Sequence, residues 1–365
     1  MSRQRRDVGL GIVGTGKIGM QRARLAAQHP AVDFVGLMDA DKTKAVGIAE
    51  DLGADLVTDT VAELVTDDRI DAIVISTDEP HHTEPALAAI ETGKQVLIEK
   101  PLALTLEDGD RILQAATEAN VDVRVGYSMR YLQKYSVGWD NVASGKVGNV
   151  VGMTGRVYGS RAQGLLILER SAEATPVLDI VTYLVDVACW YLSSQVPVEV
   201  VSRGHGTVFR DNGFDVDDVA WSMIRFSDGT VVDLGVCYML PMSFPTTGQS
   251  IRFEVFGTDG VLLIDDDHRD QMLYSELGYK NTYNPNQEMN FAFLGSRTTG
   301  EWVGEQMFGR LANETRAWVD HLVTGSDCYL TTVAEARTVL AVTLAIEESL
   351  TTGEAVKIDH SPTGR

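Results

Sequence analysis

Cysteine is scarce in this 365-residue chain: Cys189, Cys237 and Cys328 are all there is. They are far apart, odd in number and in no metal-ligand spacing, which argues against a disulfide framework and for a reducing compartment. Positive charge is short as well. With 31 Lys+Arg against 52 Asp+Glu the net charge is −21, which repels phosphate backbones and anionic lipid. Nucleic acid and membrane surfaces are therefore not expected partners, whereas a neutral sugar or polyol meets no such barrier. Long hydrophobic runs are missing too. The N-terminal "MSRQRRDVGLGIVG" is glycine-broken and too short for a signal or spanning segment, so it reads as a basic tail entering a strand of a cytoplasmic protein. Arg5-Arg6 imitates a twin-arginine signal, but nothing after it has the pattern of a cleavable segment. His29, His205, His268, His321 and His360 are isolated, Asp265–Asp270 ("DDDHRD") lacks the pattern of a calcium loop, and no Gly-x-Ser-x-Gly elbow occurs, so no metal site is expected.

What is present is the composition of a soluble globular protein, 44% apolar and 23% charged, long enough for two or three domains. From Val8 to about Val125, short β-branched runs ("VGLGIVG", "FVGLMD", "DAIVIST", "QVLIE", "VDVRV") alternate with helical stretches at Lys17–Gln28, Lys42–Leu52, His82–Thr92 and Thr105–Ala119. Such alternation predicts a mostly parallel, doubly wound α/β domain over residues 1–125. Beyond it, strand-rich segments linked by Ser227-Asp228-Gly229 and Thr258-Asp259-Gly260 predict an α+β domain over 126–365. Its large, mostly antiparallel open sheet carries the Thr175–Leu192 helix on one face, and Gln306–Thr324 and Val333–Thr351 return to helical periodicity. Gln271–Glu305 has little periodicity and reads as a functional loop, an interface arm or a disordered segment.

"GLGIVGTGKIG" places Gly14-x-Gly16-x-x-Gly19 after a strand and at the start of a helix. Gly14 permits the turn, Gly16 lets backbone approach a pyrophosphate, and Gly19 allows close helix–strand packing, with Lys17 and Ile18 in the same turn. The next strand ends in Asp39, about twenty residues after Gly19, where an acid hydrogen-bonds a ribose diol. That carboxylate would repel a 2′-phosphate, and no arginine directly follows it, so NAD is expected rather than NADP.

The strand "QVLIE" runs into Glu99-Lys100-Pro101. The proline keeps Lys100 out of the helical region, at the carboxyl end of a parallel strand, where open α/β sheets bind ligands. The glycine fingerprint, "EKP" at this distance, and a later Asp-x-x-x-Tyr on a long helix together resemble the Gfo/Idh/MocA family of nicotinamide-dependent oxidoreductases. The resemblance runs from Gly11 to the end of the chain and implies an N-terminal Rossmann domain. It further implies that Gly14, Gly16 and Gly19 hold the pyrophosphate and Asp39 the adenosine ribose. Thr77 and His82 would lie along the cofactor, Glu99 near the nicotinamide ribose, and Lys100 would be catalytic. Tyr127 and Arg130 of "GYSMRY" would line the substrate pocket. Relatives commonly pair the open face of the second domain's sheet, so a homo-oligomer, dimer or tetramer, is expected.

This chain departs from the family at two places. Many relatives carry Asp-x-Gly-x-His where this one has Asp179-Ile-Val181-Thr-Tyr183, and Pro-Asn where it has Asp78-Glu79. Tyrosine at that position resembles the sugar- and diol-oxidising members, in which it serves as the acid/base. Oxidising a secondary alcohol requires a base for the hydroxyl proton. A free phenol titrates near 10, so activity near pH 7 asks about 4 kcal/mol of its surroundings. An adjacent ammonium supplies this in the right direction, which makes Lys100 the tuner of Tyr183, with Asp179 as orienting group or sugar-hydroxyl acceptor. Helical spacing puts residues 179, 183, 186 and 190 on one face. The competing account has Asp179 and Asp186 bonded to structural partners and Tyr183 packed in the core. The expected function is NAD-dependent hydride transfer at a ring hydroxyl of a sugar, cyclitol or alicyclic diol. A shuttle that keeps its NAD bound, and a non-catalytic NAD-binding sensor or partner subunit, are the alternatives.

Overall fold

The computed structural model describes residues 7–171, 174–241, 244–246, 248–267, 271–280, 288–294 and 299–361. The chain forms two compact units, one made of the chain up to Tyr131 with Trp302–Leu340, the other of Leu132–Glu301 with Ala341–His360.

In the first unit, strands β1 (Val8–Val13), β2 (Val32–Met38), β3 (Leu56–Thr58), β4 (Ala72–Ile75), β5 (Gln95–Glu99) and β6 (Val123–Gly126) lie in the order β6-β5-β4-β1-β2-β3. All pair in parallel, and a two-residue antiparallel strand, Thr331–Thr332, adds to the β6 edge. The crossovers are α1 (Lys17–Ala27), α2 (Lys42–Leu52), α3 (Val61–Thr66), α4 (Thr83–Glu91) and α5 (Leu106–Ala119). β1 and β4 are buried along their whole length, which is why they read as continuous apolar runs instead of alternating ones. Start signals agree with the sequence: Asp41, Thr60 and Thr105 cap α2, α3 and α5 through their side chains. The order of connection reverses between β1 and β4, and a crevice opens at such a switch point.

Where a partition at 125/126 was expected, the first unit runs on to Tyr131 and also takes in Trp302–Leu340. Helix Arg310–Thr324 and its flanks belong with the first unit, because Trp318, Val319 and Leu330 enter the same core cluster as Leu10, Ile12, Leu37, Val74 and Leu97. A second tie is ionic: the buried Arg22 of α1 reaches Glu314 of that helix. The helix also starts at Arg310 where periodicity suggested Gln306, since Gln306–Phe308 is a short strand.

In the second unit the sheet order is β12-β11-β7-β10-β9-β8, with Val356–Lys357 at the β8 edge. The strands are β7 (Val150–Ser160), β8 (Pro197–His205), β9 (Val219–Phe226), β10 (Val231–Leu240), β11 (Ser250–Gly257) and β12 (Val261–Asp266). β7 and β10 are parallel; every other neighbouring pair is antiparallel. One face carries helices, among them α6 (Gln133–Ala143), α7 (Arg161–Arg170) and α8 (Thr182–Tyr191). The other is open: β9 alternates buried and exposed residues, and Trp221, Met223, Val231, Val261 and Leu263 are exposed.

The segment with little periodicity is in part a ribbon. Met272–Lys280 pairs antiparallel with Glu288–Phe293, and Tyr274 stacks on Phe291 with centroids 4.5 Å apart. Residues 281–287 and 295–298 of that segment, and His268–Asp270 of the acidic turn, lie outside the described residues. Among the described residues no helix is long and apolar enough to cross a membrane, and no three His, Cys, Asp or Glu side chains are grouped to hold a metal ion.

Candidate active site

The first unit has a cleft of about 500 Å³ at the carboxyl ends of β1, β2 and β4. Val13, Gly14, Gly16, Met38, Asp39, Ser76, Thr77 and His81 are among the residues that line it. The three glycines are there for three different reasons. Gly14 has φ +88°, and a Cβ on it would stand 2.8 Å from the Ser76 carbonyl carbon. A Cβ on Gly19 would stand 1.9 Å from Gly14 O, so helix α1 could not meet the turn. A Cβ on Gly16 would meet nothing within 4 Å. No contact within the protein requires that third glycine, and its bare backbone faces the cleft at the N-terminus of α1. This is what a closely approaching pyrophosphate needs.

Asp39 is fixed by the same turn. Its Oδ2 accepts from Thr15 N at 2.8 Å and Thr15 Oγ1 at 2.7 Å, and its Oδ1 accepts from Asp41 N at 3.0 Å. Burial pushes the carboxyl up, but these bonds and the charge of Lys44 outweigh it and hold the group below the ordinary carboxylate value. A carboxylate kept ionised at the cleft wall fits a ribose diol and opposes a phosphate. Lys17 opens α1 and is exposed, and Ile18 leans on the small cluster of Leu25, Met307 and Leu311. A dinucleotide therefore fits the residues present on two counts, the open backbone at Gly16 and the pinned acid at Asp39.

The other expected contacts divide. Thr77 lines the cleft. His82 does not: it is 1% exposed, with Nδ1 2.9 Å from Pro101 O and Nε2 3.2 Å from Thr77 O. Burial holds its pKa below the usual imidazole value, against the two carbonyls, each of which favours a ring N–H. His82 thus ties the loop after β4 to the loop after β5, and its neighbour His81 takes the place at the cleft. Glu99 ends β5, and Lys100 follows half-buried, joined to Pro101 by a cis peptide.

Tyr127 and Arg130, expected in a substrate pocket, are enclosed within the first unit. Arg130 Nη1 lies 3.3 Å from Glu335 Oε1 and donates to Tyr329 O at 3.4 Å. Those partners are some 200 residues away, and no local pattern announces them.

In the second unit the helix that carries Asp179 and Tyr183 is not α-helical throughout. Val177–Val181 forms a π turn before α8 begins at Thr182. The wider turn shifts 179 relative to 183, 186 and 190, which keep α-helical spacing among themselves. Asp179 is half-buried and accepts from Tyr238 Oη at 3.0 Å. Tyr183 is 8% exposed, Asp186 is fully buried, and Trp190 stacks on Trp139 at 5.2 Å. Positions 186 and 190 belong to the core and Tyr183 is nearly as enclosed, so of the expected polar face only Asp179 is half-buried. Tyr238 is a partner that sequence reasoning missed; nothing in "VVDLGVCYML" sets it apart from other strand aromatics.

Comparisons with known proteins agree with this layout. Residues 8–127 match the model of the oxidoreductase family with an NAD-binding Rossmann fold, and residues 140–263 match that of the GFO/IDH/MocA C-terminal domain. A 1,5-anhydro-D-fructose reductase of Ensifer adhaerens is 30% identical over 258 residues, 69% of this chain and 74% of the relative. A scyllo-inositol 2-dehydrogenase (NAD(+)) of Bacillus subtilis is 27% identical, covering 69% and 72%. Among solved structures, GenD2 from gentamicin A biosynthesis in complex with NAD superposes with a TM-score of 0.81 at 22% identity, covering 97% of each chain. The motifs and the two matched domains make this chain a member of the Gfo/Idh/MocA family of oxidoreductases, with an NAD-binding Rossmann domain at its N-terminus.

Proposed function

We propose that the protein is an NAD-dependent dehydrogenase that interconverts a ring hydroxyl and a ketone on a sugar, cyclitol or related alicyclic diol. The observation that carries this reading is the cleft in which Gly16 backbone and the Asp39 carboxylate face one space beside the strand that ends in Glu99-Lys100. The names of the relatives, an anhydrosugar reductase and an inositol dehydrogenase, support the substrate class. The acidic surface is compatible with a neutral polyol.

Bound NAD would supply the hydride acceptor or donor, held by the Gly14–Gly19 turn, Asp39 and Thr77, with Glu99 toward its nicotinamide ribose. The chain's own part is the proton. Tyr183 Oη takes it from the substrate hydroxyl on oxidation and returns it on reduction, a role that contributes about 10²–10⁴-fold. The Lys100 ammonium lowers the cost of the phenolate and orients the reacting oxygen. Asp179, held by Tyr238, orients the substrate. The open sheet face bearing Trp221, Met223 and Leu263 is proposed as the surface through which copies of the chain pair.

A panel of sugars, inositols and dihydrodiols assayed for NADH formation tests the reading. Turnover on ring polyols is expected; a panel without turnover from a protein that binds NADH would overturn the dehydrogenase reading in favour of a sensor.

A further inference from the structure

Glu99 is gripped from behind by a buried ionic cluster that the cofactor reading does not use. Arg22, on α1 just past Gly19, is fully buried. Its Nε donates to Glu99 Oε1 at 2.9 Å and its Nη2 lies 2.8 Å from the same oxygen. Nη1 donates to Thr315 Oγ1 at 2.7 Å, and Nη2 donates also to Glu314 Oε2. Thr315 gives its own hydroxyl proton to Leu311 O at 2.7 Å, so its oxygen is set to accept. The cluster is seated against Gly126, where a Cβ would stand 3.1 Å from Arg22 Nη2 and 3.2 Å from Glu99 Oε2.

This arrangement is hard to explain as a stabilising device. One guanidinium faces two carboxylates, with the charge of Arg310 also acting on Glu314, and burying so many ionisable groups together carries a desolvation cost that a single exposed pair would not. Glu314 is fully buried, and its Oε1 has no hydrogen-bond partner among the described residues. Burial pushes its carboxyl up against the attraction of Arg22. What the cluster does achieve is geometric. With the guanidinium engaged on Glu99, Thr315 and Glu314, Glu99 Oε1 is held, and the hydrogen bonds of this cluster leave Oε2 unused on a side chain that is 14% exposed, next to Lys100.

We propose that Arg22 and Glu314 are positioning residues that hold Glu99, and with it the Glu99-Lys100 corner, in the orientation that the nicotinamide half of the cofactor requires. The inference rests on the reading of Glu99 given above. Its test is binding, not turnover: calorimetric Kd values for NADH and for ADP, which lacks the nicotinamide nucleoside, measured on the full chain and on E99Q, E314Q and E99Q/E314Q. E99Q and E314Q should each weaken NADH about tenfold, the scale of one charge-assisted hydrogen bond, and leave ADP within about twofold. The double variant should be no weaker than E99Q, because Glu314 acts only through Glu99. R22K, which keeps the charge and loses the fork, should behave as E314Q does. If E99Q loses NADH affinity but E314Q and R22K do not, the positioning role is overturned and the reading of Glu99 stands. If E99Q itself leaves NADH unchanged, the reading of Glu99 fails and takes the inference with it. Equal loss of ADP and NADH in E314Q would also overturn it, as damage to the whole cleft.

Discussion

The glycine turn of the first unit and the Thr175–Leu192 helix of the second both carry polar residues in apolar surroundings, but they are built differently. In the turn the positions are marked by residue type and spacing: Gly14 carries a positive φ and meets Ser76, Gly19 sits against Gly14, and Asp39 ends the next strand and bonds Thr15. In the helix the decisive features are a π turn and a tyrosine on a distant strand, Tyr238. The positions in the turn are written in residue type and spacing; the partners, Ser76 of Gly14 as much as Tyr238 of Asp179, are written only in the fold.

The predictions break or sharpen that contrast, and the largest concerns the reaction. Replacing Lys100 by Met should lower turnover on a ring polyol about 10³-fold, with NADH affinity changed far less, because the ammonium acts on the proton step. Steady-state kinetics beside a binding titration check this; equal losses in both would make Lys100 a cofactor contact only.

The glycines come next. Gly19→Ala puts a Cβ against Gly14 O and should cost about 1–3 kcal/mol of stability as overpacking. Gly16→Ala meets no protein atom, so its melting temperature should stay at the wild-type value while NADH binding falls. Thermal melts with binding titrations separate the two, and equal destabilisation would refute the distinction drawn between them.

Asp39→Ala tests the cofactor wall and has a pH signature. The folded carboxyl lies below its unfolded value of about 3.9, so its contribution is present above that pH and lost as pH falls through the folded value. The group is half-buried and partly screened by solvent, so removing it should cost about 1 kcal/mol near pH 7, and the difference from wild type should shrink at low pH. The same variant should gain tolerance of NADP. Smallest is Tyr238→Phe, which releases Asp179: a loss of about 1 kcal/mol in stability and a few-fold in KM for substrate, with kcat nearly unchanged.

The parallel domain, the glycine turn and the place of Asp39 at the end of β2 were legible because each depends on period or on φ. The enclosure of Arg130 and His82 was not legible. Their enclosure comes from Glu335, Tyr329 and Pro101, segments the sequence does not bring together on its face. Helix Arg310–Thr324 reads as amphipathic, but only contact shows that Trp318 fills the first unit's core and Glu314 reaches Arg22. Of the face expected at 179, 183, 186 and 190, the π turn displaces only 179, while 183, 186 and 190 keep α-helical spacing and are buried, which the sequence does not mark.

The central claim is that Tyr183 handles the proton in a dehydrogenase reaction, and the most direct measurement is kcat/KM for NADH formation by wild type and Tyr183→Phe on the best substrate of the polyol panel. A loss of at least about 100-fold with NADH affinity intact is the predicted result. Near-wild-type turnover in the phenylalanine variant would contradict it.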